Sequence, residues 1–261
     1  MRRRRAARSD SDRRTEALQL KLLVEYDGTR FLGWQLQPDG PTIQGVLEEA
    51  LATALREPVR IRAAGRTDTG VHAAGQVVAV PVTRVPEDLG RLLKSLNALT
   101  PEDVAVREVS IADDGFDPRR ARSRLYVYRI LTSGAPSAFW HRYTWHHFMP
   151  LDVEAMASAA AVLVGEHDFA AFQAADADPV RSTVRRVFVS RIEREGEQLH
   201  YRIEATAFLK HMVRSIVGTL VEIGRGERLP SEMAEILASC DRRRAGRTAP
   251  PHGLTLVAVR Y

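Results

Sequence analysis

The sequence predicts an α+β protein of two ferredoxin-like βαββαβ halves, and three observations predict it. Hydrophobic patterns of strand and helix period run in the order β-α-β-β-α-β and then repeat that order. Turn and helix-start signals (Asp27-Gly28, Pro41-Thr42, Pro86, Gly165) fall between the patterned stretches. At 261 residues the chain is long enough for one large or two small domains with a substantial core.

Residues 20–26 read as a strand ending at Asp27-Gly28. A helix follows Pro41-Thr42, with Ile43, Val46, Leu47, Ala50, Leu51, Ala54 and Leu55 at spacings of three and four on one stripe. Strands are expected near 58–64 and 75–82, then a helix started by Pro86 with Leu89, Leu92, Leu93 and Leu96 inward, then a strand from Val104 to Val109. The second half reads as strand 124–132, helix 152–164 ended by Gly165, strands 185–193 and 199–206, helix 208–223 and strand 254–260. Identity between the halves is faint, so the repeat rests on element order. Such halves, RRM-like in that order, would form one extended antiparallel sheet with helices on one face and a central cleft. The expected division is a disordered Arg-rich tail at 1–17, one half at 18–115 and the other at 116–261. Residues 136–150 and 174–182 read as longer loops, which at a cleft often carry binding.

Charge bounds the partners. The net charge is +5, but residues 1–16 hold seven arginines against Asp10, Asp12 and Glu16, which leaves about +1 for the remaining residues. In the body the arginines cluster: Arg119, Arg120, Arg122, Arg124 and Arg129 form one group, and Arg181, Arg185 and Arg186 a second. Such groups either neutralise phosphates or form a solvated face. No apolar run approaches the roughly 20 residues of a bilayer crossing, and nothing resembles a signal peptide, so no membrane partner and a cytoplasmic protein are expected. Cys240 is the single cysteine, which excludes an intrachain disulfide and a thiolate zinc cluster.

The stretch Ala64-Gly65-Arg66-Thr67-Asp68-Thr69-Gly70-Val71-His72-Ala73 places an acid and an arginine two apart between glycines, with strand-like sequence on either side. A guanidinium near a carboxylate favours its ionised form, as a nucleophile or base requires. On spacing alone the loop reads equally well as an Asx-type turn with Arg66 in water. Tyr126 and Tyr128 alternate on a strand and face one side, as a site platform or as core aromatics. On the helix expected from Phe208, the residues Phe208, Leu209, Met212, Val213, Ile216, Val217 and Leu220 form a wide apolar face interrupted by Lys210 and Arg214. Two cations on a buried stripe need an anion opposite, Asp68 or an RNA phosphate, unless they snorkel to solvent. His72 reads as structural, Met212 and Trp34 as core, and His141, His146 and His147 lack a carboxylate at zinc-ligand spacing, so no metal is expected.

Gly65-Arg66-Thr67-Asp68-Thr69-Gly70-Val71-His72 closely resembles the signature of the tRNA pseudouridine synthase A family. So, in the family's order, do Glu25-Tyr26-Asp27-Gly28, Phe31-Leu32-Gly33-Trp34-Gln35, Tyr126-Val127-Tyr128, Gly165-Glu166-His167-Asp168-Phe169 and Phe208-Leu209-Lys210-His211-Met212-Val213-Arg214. The resemblance covers nearly everything from Leu20 to Tyr261. It departs at Leu125, where the family commonly has a basic residue, and the stretch from Phe116 is one residue shorter. The resemblance implies isomerisation of uridine to pseudouridine in the tRNA anticodon stem-loop, at positions 38, 39 and 40, by a homodimer. It implies Asp68 as the catalytic carboxylate, Arg214 as its partner, and Tyr126 as the residue that stacks on the base and is a candidate acceptor of the C5 proton. Arg66 is implied in holding the phosphate and filling the space of the flipped base, and Lys210 is expected to bind substrate. The reaction has no redox change and needs no cofactor. The competing reading from another class is a non-catalytic RNA-binding protein of the same fold. A carboxylate-dependent hydrolase is disfavoured because no second acid pairs with Asp68 in a recognisable motif.

Overall fold

In the first strand, β1 (Gln19–Tyr26), period-2 sequence becomes a half-buried ribbon: Leu20, Leu22, Val24 and Tyr26 enter the core while the residues between them do not. The structure is a computed structural model describing residues 18–178 and 180–261; the segment expected as a tail, 1–17, lies outside the described residues. The helix expected after Pro41 is α1 (Ile43–Leu55), and the Thr42 hydroxyl caps it by accepting from Gly45 N–H. After it come β2 (Arg62–Ala63), β3 (His72–Pro81), α2 (Leu89–Leu99) and β4 (Val104–Ile111). The second half contains β5 (Ser123–Leu131), β6 (Trp145–His146), α3 (Val153–Ala161), β7 (Gly165–Asp168), β8 (Val184–Glu195) and β9 (Gln198–Ala205). It closes with α4 (Met212–Gly224), α5 (Glu232–Ser239) and β10 (Leu254–Arg260).

Ten strands form one mixed, mostly antiparallel sheet in the order β4-β1-β3-β10-β5-β9-β8-β7, with β2 on β3 and β6 on β5. The order β4-β1-β3-β2 in the first half repeats as β10-β5-β9-β8 in the second, the ferredoxin-like arrangement. The inward faces of β1, β5 and β9 share one core cluster with Leu47 and Leu51 of α1, Leu96 of α2, Met156 of α3, Ile216 and Leu220 of α4, and Ile236 of α5. The helices therefore cover one face of the sheet.

The seam between halves differs from the expected antiparallel sheet. There β10 runs parallel to β3, Thr255 opposite His72 and Leu256 opposite Ala73, because a crossover rather than a hairpin joins them in sequence. The strand expected at 58–64 shrinks to Arg62–Ala63, paired with Ala79 and Val78 at the far end of β3. Ile61 N–H goes instead to the Glu48 carboxylate at 3.0 Å. One edge of β3 is thus shared between β2 and β10, and the loop joining β2 to β3 emerges where they part. The helix expected at 208–223 starts four residues later, at Met212, behind His211 in left-handed backbone at φ 63°. The helix expected to run to 164 stops at Ala161, and Gly165, at φ +121°, opens β7. The Pro86 start moves to Leu89, capped by Asp88, and α5, β6 and β7 had no counterpart in the sequence reading.

Beneath the seam His72 is buried. Its Nδ1 accepts from Gly28 N–H at 3.1 Å, and Nε2 lies 2.8 Å from the Arg142 carbonyl and 3.1 Å from that of His252. Burial lowers its pKa from 6.5 against the pull of Asp27, 3.2 Å away. Burial also lowers His200, His211 and His252. A depressed folded-state pKa means the unfolded chain takes up protons first, so this stability is complete above pH 6.5 and is lost as pH falls below it. The melting temperature should therefore fall as pH drops below about 6.5. His72→Gln should show a shallower fall; an unchanged slope would rule His72 out as a source.

Candidate active site

The loop between β2 and β3 is held by its neighbours at Ala64, Gly65 and Thr67. Arg124 donates to the Ala64 carbonyl at 2.9 Å, Gln76 Nε2 to the Gly65 carbonyl at 2.8 Å, and Trp34 N–H to the Thr67 carbonyl at 3.0 Å. The Tyr26 and Thr67 hydroxyls lie 2.8 Å apart. Gly33 packs so closely beneath that an added Cβ would meet the Thr67 oxygen at 2.7 Å, and its φ of +85° also favours glycine. Val71 N–H donates to the Asp68 carbonyl at 3.1 Å, closing a turn with Gly70 at φ +76° in its third position. These contacts explain why the first two motif blocks and the Asp68 loop occur together: the former are the bed of the latter.

At the tip, the Asp68 side chain does not close the Asx turn that spacing alone allows. Its Oδ2 accepts from Arg214 NH1 at 3.0 Å across 146 positions of sequence. Arg214, in the first turn of α4, is fixed from behind: its Nε donates to the Ala249 carbonyl at 2.8 Å, and Ala249 N–H donates to the Arg214 carbonyl at 3.0 Å. The pair is largely shielded, with side-chain exposures of 28% for Asp68 and 13% for Arg214, so their attraction is screened less than on the surface. His211 Nε2 stands 3.5 Å from the same Oδ2. The Arg214 guanidinium and the His211 ring converge on one oxygen, and Oδ1 has no hydrogen-bond partner among the described residues. The carboxylate also lies at the N-terminus of α4, the favourable end of the helix dipole for an anion.

Asp68 and Arg214 line a cleft of about 1030 Å³ together with Arg66, Arg119, Tyr126, Phe208, Lys210 and His211. Tyr126 lies in its wall on β5, edge-on to Phe208 with ring centroids 5.0 Å apart. Burial, then Tyr26 and Asp68, raise the Tyr126 pKa well above that of an ordinary phenol, so it is un-ionised near neutral pH. Tyr128, expected on the same side, is core: it is fully buried with its hydroxyl on the Pro250 carbonyl at 2.8 Å.

The cations expected here divide. Arg66 is exposed at the rim, with no hydrogen-bond or ion-pair partner among the described residues, and does not pair with Asp68. Lys210 does not share a helical stripe with Arg214: it precedes α4, is 42% exposed, and pairs with Asp176 at 2.8 Å. Arg119, Arg120 and Arg122 are exposed as a phosphate-binding group would be, but Arg124 is 8% exposed and engaged with backbone carbonyls. Trp34 and Met212 are buried. His211 had no role in the sequence reading; its only signal there was a place between the two cations of its block. Among the described residues no group of three or more His, Cys, Asp or Glu is arranged to hold a metal ion, and no helix is long and apolar enough to cross a membrane.

Fold and site define a class: an α+β enzyme frame that presents one cation-held carboxylate in an arginine-rimmed cleft at the seam of two ferredoxin-like halves. The chain belongs to the tRNA pseudouridine synthase family, whose sequence profile matches residues 22–119 and 159–261. It is 49% identical over 245 residues to tRNA pseudouridine synthase A of Myxococcus xanthus, covering 93% of this chain and 91% of the relative. It is 46% identical over 244 residues to the protein of that name from Geobacter sulfurreducens, covering 93% and 99%. With the counterpart from Geotalea uraniireducens the identity is 45%, over the same shares of both chains. The chain is an isomerase of this family.

Proposed function

We propose that this isomerase converts uridine to pseudouridine at positions 38, 39 and 40 of the tRNA anticodon stem-loop, in the cytoplasm and as a homodimer. The observation that carries the reading is the Asp68 carboxylate, which lines the cleft beside Tyr126, tied to Arg214 through Oδ2 and without a hydrogen-bond partner at Oδ1 among the described residues. The cleft exceeds what one nucleotide fills, as a base extruded from its stack with its flanking phosphates requires. Phe139, Phe148 and Met149 are 88%, 72% and 53% exposed, apolar surface of the kind a second copy would cover.

The reaction breaks C1′–N1, rotates the released uracil and forms C1′–C5; the C5 proton is lost and N1 regains one, with no change in oxidation state. Asp68 supplies the carboxylate through Oδ1, whether it attacks C1′, attacks the ring or removes a ribose proton. Arg214 holds the other oxygen and balances the charge. Arg66 contacts phosphate and occupies the space of the flipped base, and Lys210 adds a cation along the strand. Tyr126 stacks on uracil. Being un-ionised, it takes part in moving the C5 proton only if its own proton leaves in the same step.

Release of tritium from C5-labelled uridine in a tRNA transcript, with no metal or nucleotide added, tests the function. Release at the three positions supports it; bound RNA without release would leave a binding protein of the same fold. Tyr126→Phe keeps the ring and should retain tRNA affinity within a few fold, with a rate loss of about 10²-fold or more if the hydroxyl moves the proton. Tyr126→Leu should lose stacking as well, and equal rates in Tyr126→Phe and wild type would confine the residue to stacking.

A further inference from the structure

The arginine cluster contains one member that cannot serve as a phosphate contact. Arg124 is 8% exposed, and its guanidinium donates four hydrogen bonds, all to backbone carbonyls. NH2 reaches Ala64 at 2.9 Å and Arg119 at 2.8 Å; NH1 reaches Ala121 at 3.0 Å and Thr206 at 2.7 Å. Among the described residues no carboxylate lies within ion-pair distance. A buried cation without an anion is costly, and burial does lower its pKa, so the four carbonyl dipoles are what its guanidinium has in hydrogen-bond contact to offset that cost.

The carbonyls come from the segments that build the site. Ala64 opens the Asp68 loop. Thr206 opens the segment that carries Phe208 and His211 into Arg214. Arg119 and Ala121 belong to the connection between the halves, and the Arg119 side chain lines the cleft. Arg124 itself lies two residues before Tyr126 on β5. We propose that Arg124 is a positioning residue that ties the Asp68 loop, the Tyr126 strand and the segment leading to Arg214 into one register through these four hydrogen bonds. A planar fork suits this task because it serves four acceptors in fixed directions; an ammonium offers three donors from one point. Displacement of reacting groups by about 1 Å can cost roughly 10²-fold in rate, so the tie bears on turnover rather than on RNA capture.

The inference rests on Asp68 acting as proposed, which tritium release by the wild-type protein and its loss in Asp68→Asn establish first. Given that, Arg124→Lys is expected to lower kcat by about 10- to 100-fold with KM for tRNA within about threefold and the salt dependence of binding unchanged. Combined with Arg214→Lys, its effect should be markedly less than additive, since both act on the placement of Asp68. A raised KM with unchanged kcat and a shallower salt dependence would overturn the proposal in favour of a phosphate contact. Unchanged kcat in folded Arg124→Lys, or full additivity with Arg214→Lys, would reduce Arg124 to general stability and also overturn it. Should Arg124→Lys not fold, Arg124→Gln carries the same comparisons.

Discussion

Asp68→Asn is expected to lower single-turnover tritium release by about 10³-fold or more while tRNA affinity stays within a few fold of wild type. The amide is nearly isosteric, and its oxygen can still accept from Arg214, so the loop, with its contacts to Trp34, Tyr26 and Gln76, should keep its shape. What is lost is the anionic Oδ1, without which nucleophilic attack and proton removal both fail. The basic side chains that line the cleft, Arg66 among them, are untouched by the change, so the affinity for tRNA should hold. Release within tenfold of wild type would exclude Asp68 as the reactive carboxylate.

Arg214→Ala is expected to lower activity and stability together. It strips Asp68 Oδ2 of its hydrogen-bond partner and leaves the Ala249 carbonyl without the guanidinium Nε. An unmet buried acceptor and a shielded carboxylate without its cation together cost about 2–4 kcal/mol, a drop of several degrees in Tm at this size. The rate should fall by roughly 10²-fold, since Asp68 is then neither oriented nor balanced in charge. In an Asp68→Ala background the same change should cost less stability, because no carboxylate is left exposed to its loss. Equal costs in both backgrounds would mean that the Ala249 contact alone carries the effect.

Much of this was legible in the chain. The stripe from Ile43 to Leu55 reads as a helix because apolar residues at three and four spacing have one solution, and Thr42 marks its start. The turn at Asp68 is legible from Gly70, whose left-handed backbone the turn needs. The reading failed where apolar sequence carries no stop signal. Phe208 to His211 fits a helical period, yet the chain turns there because the Lys210 carbonyl is taken by Ala174 N–H and His211 holds left-handed backbone. Residues 58–64 have strand composition but pair over only two residues, because the register Arg62 opposite Ala79 carries the earlier residues to Pro81, where β3 ends, and Ile61 N–H goes to the Glu48 carboxylate instead.

The sequence by itself determined the periodicities, the turns and the order of elements, since these depend on residues within a few positions of one another. It also determined, through motif resemblance, which residue types to seek. Tertiary structure decided which cations meet the carboxylate. Of the candidates, Arg66 is nearest in sequence and does not pair, Lys210 goes to Asp176, and Arg214 closes on Asp68 from 146 positions away. It also decided that Arg124, one arginine of a basic cluster, is buried to hold four carbonyls. The physical reason is that charge partners are set by through-space distance and shielding from water, and the sheet order that brings β10 between β3 and β5 creates both.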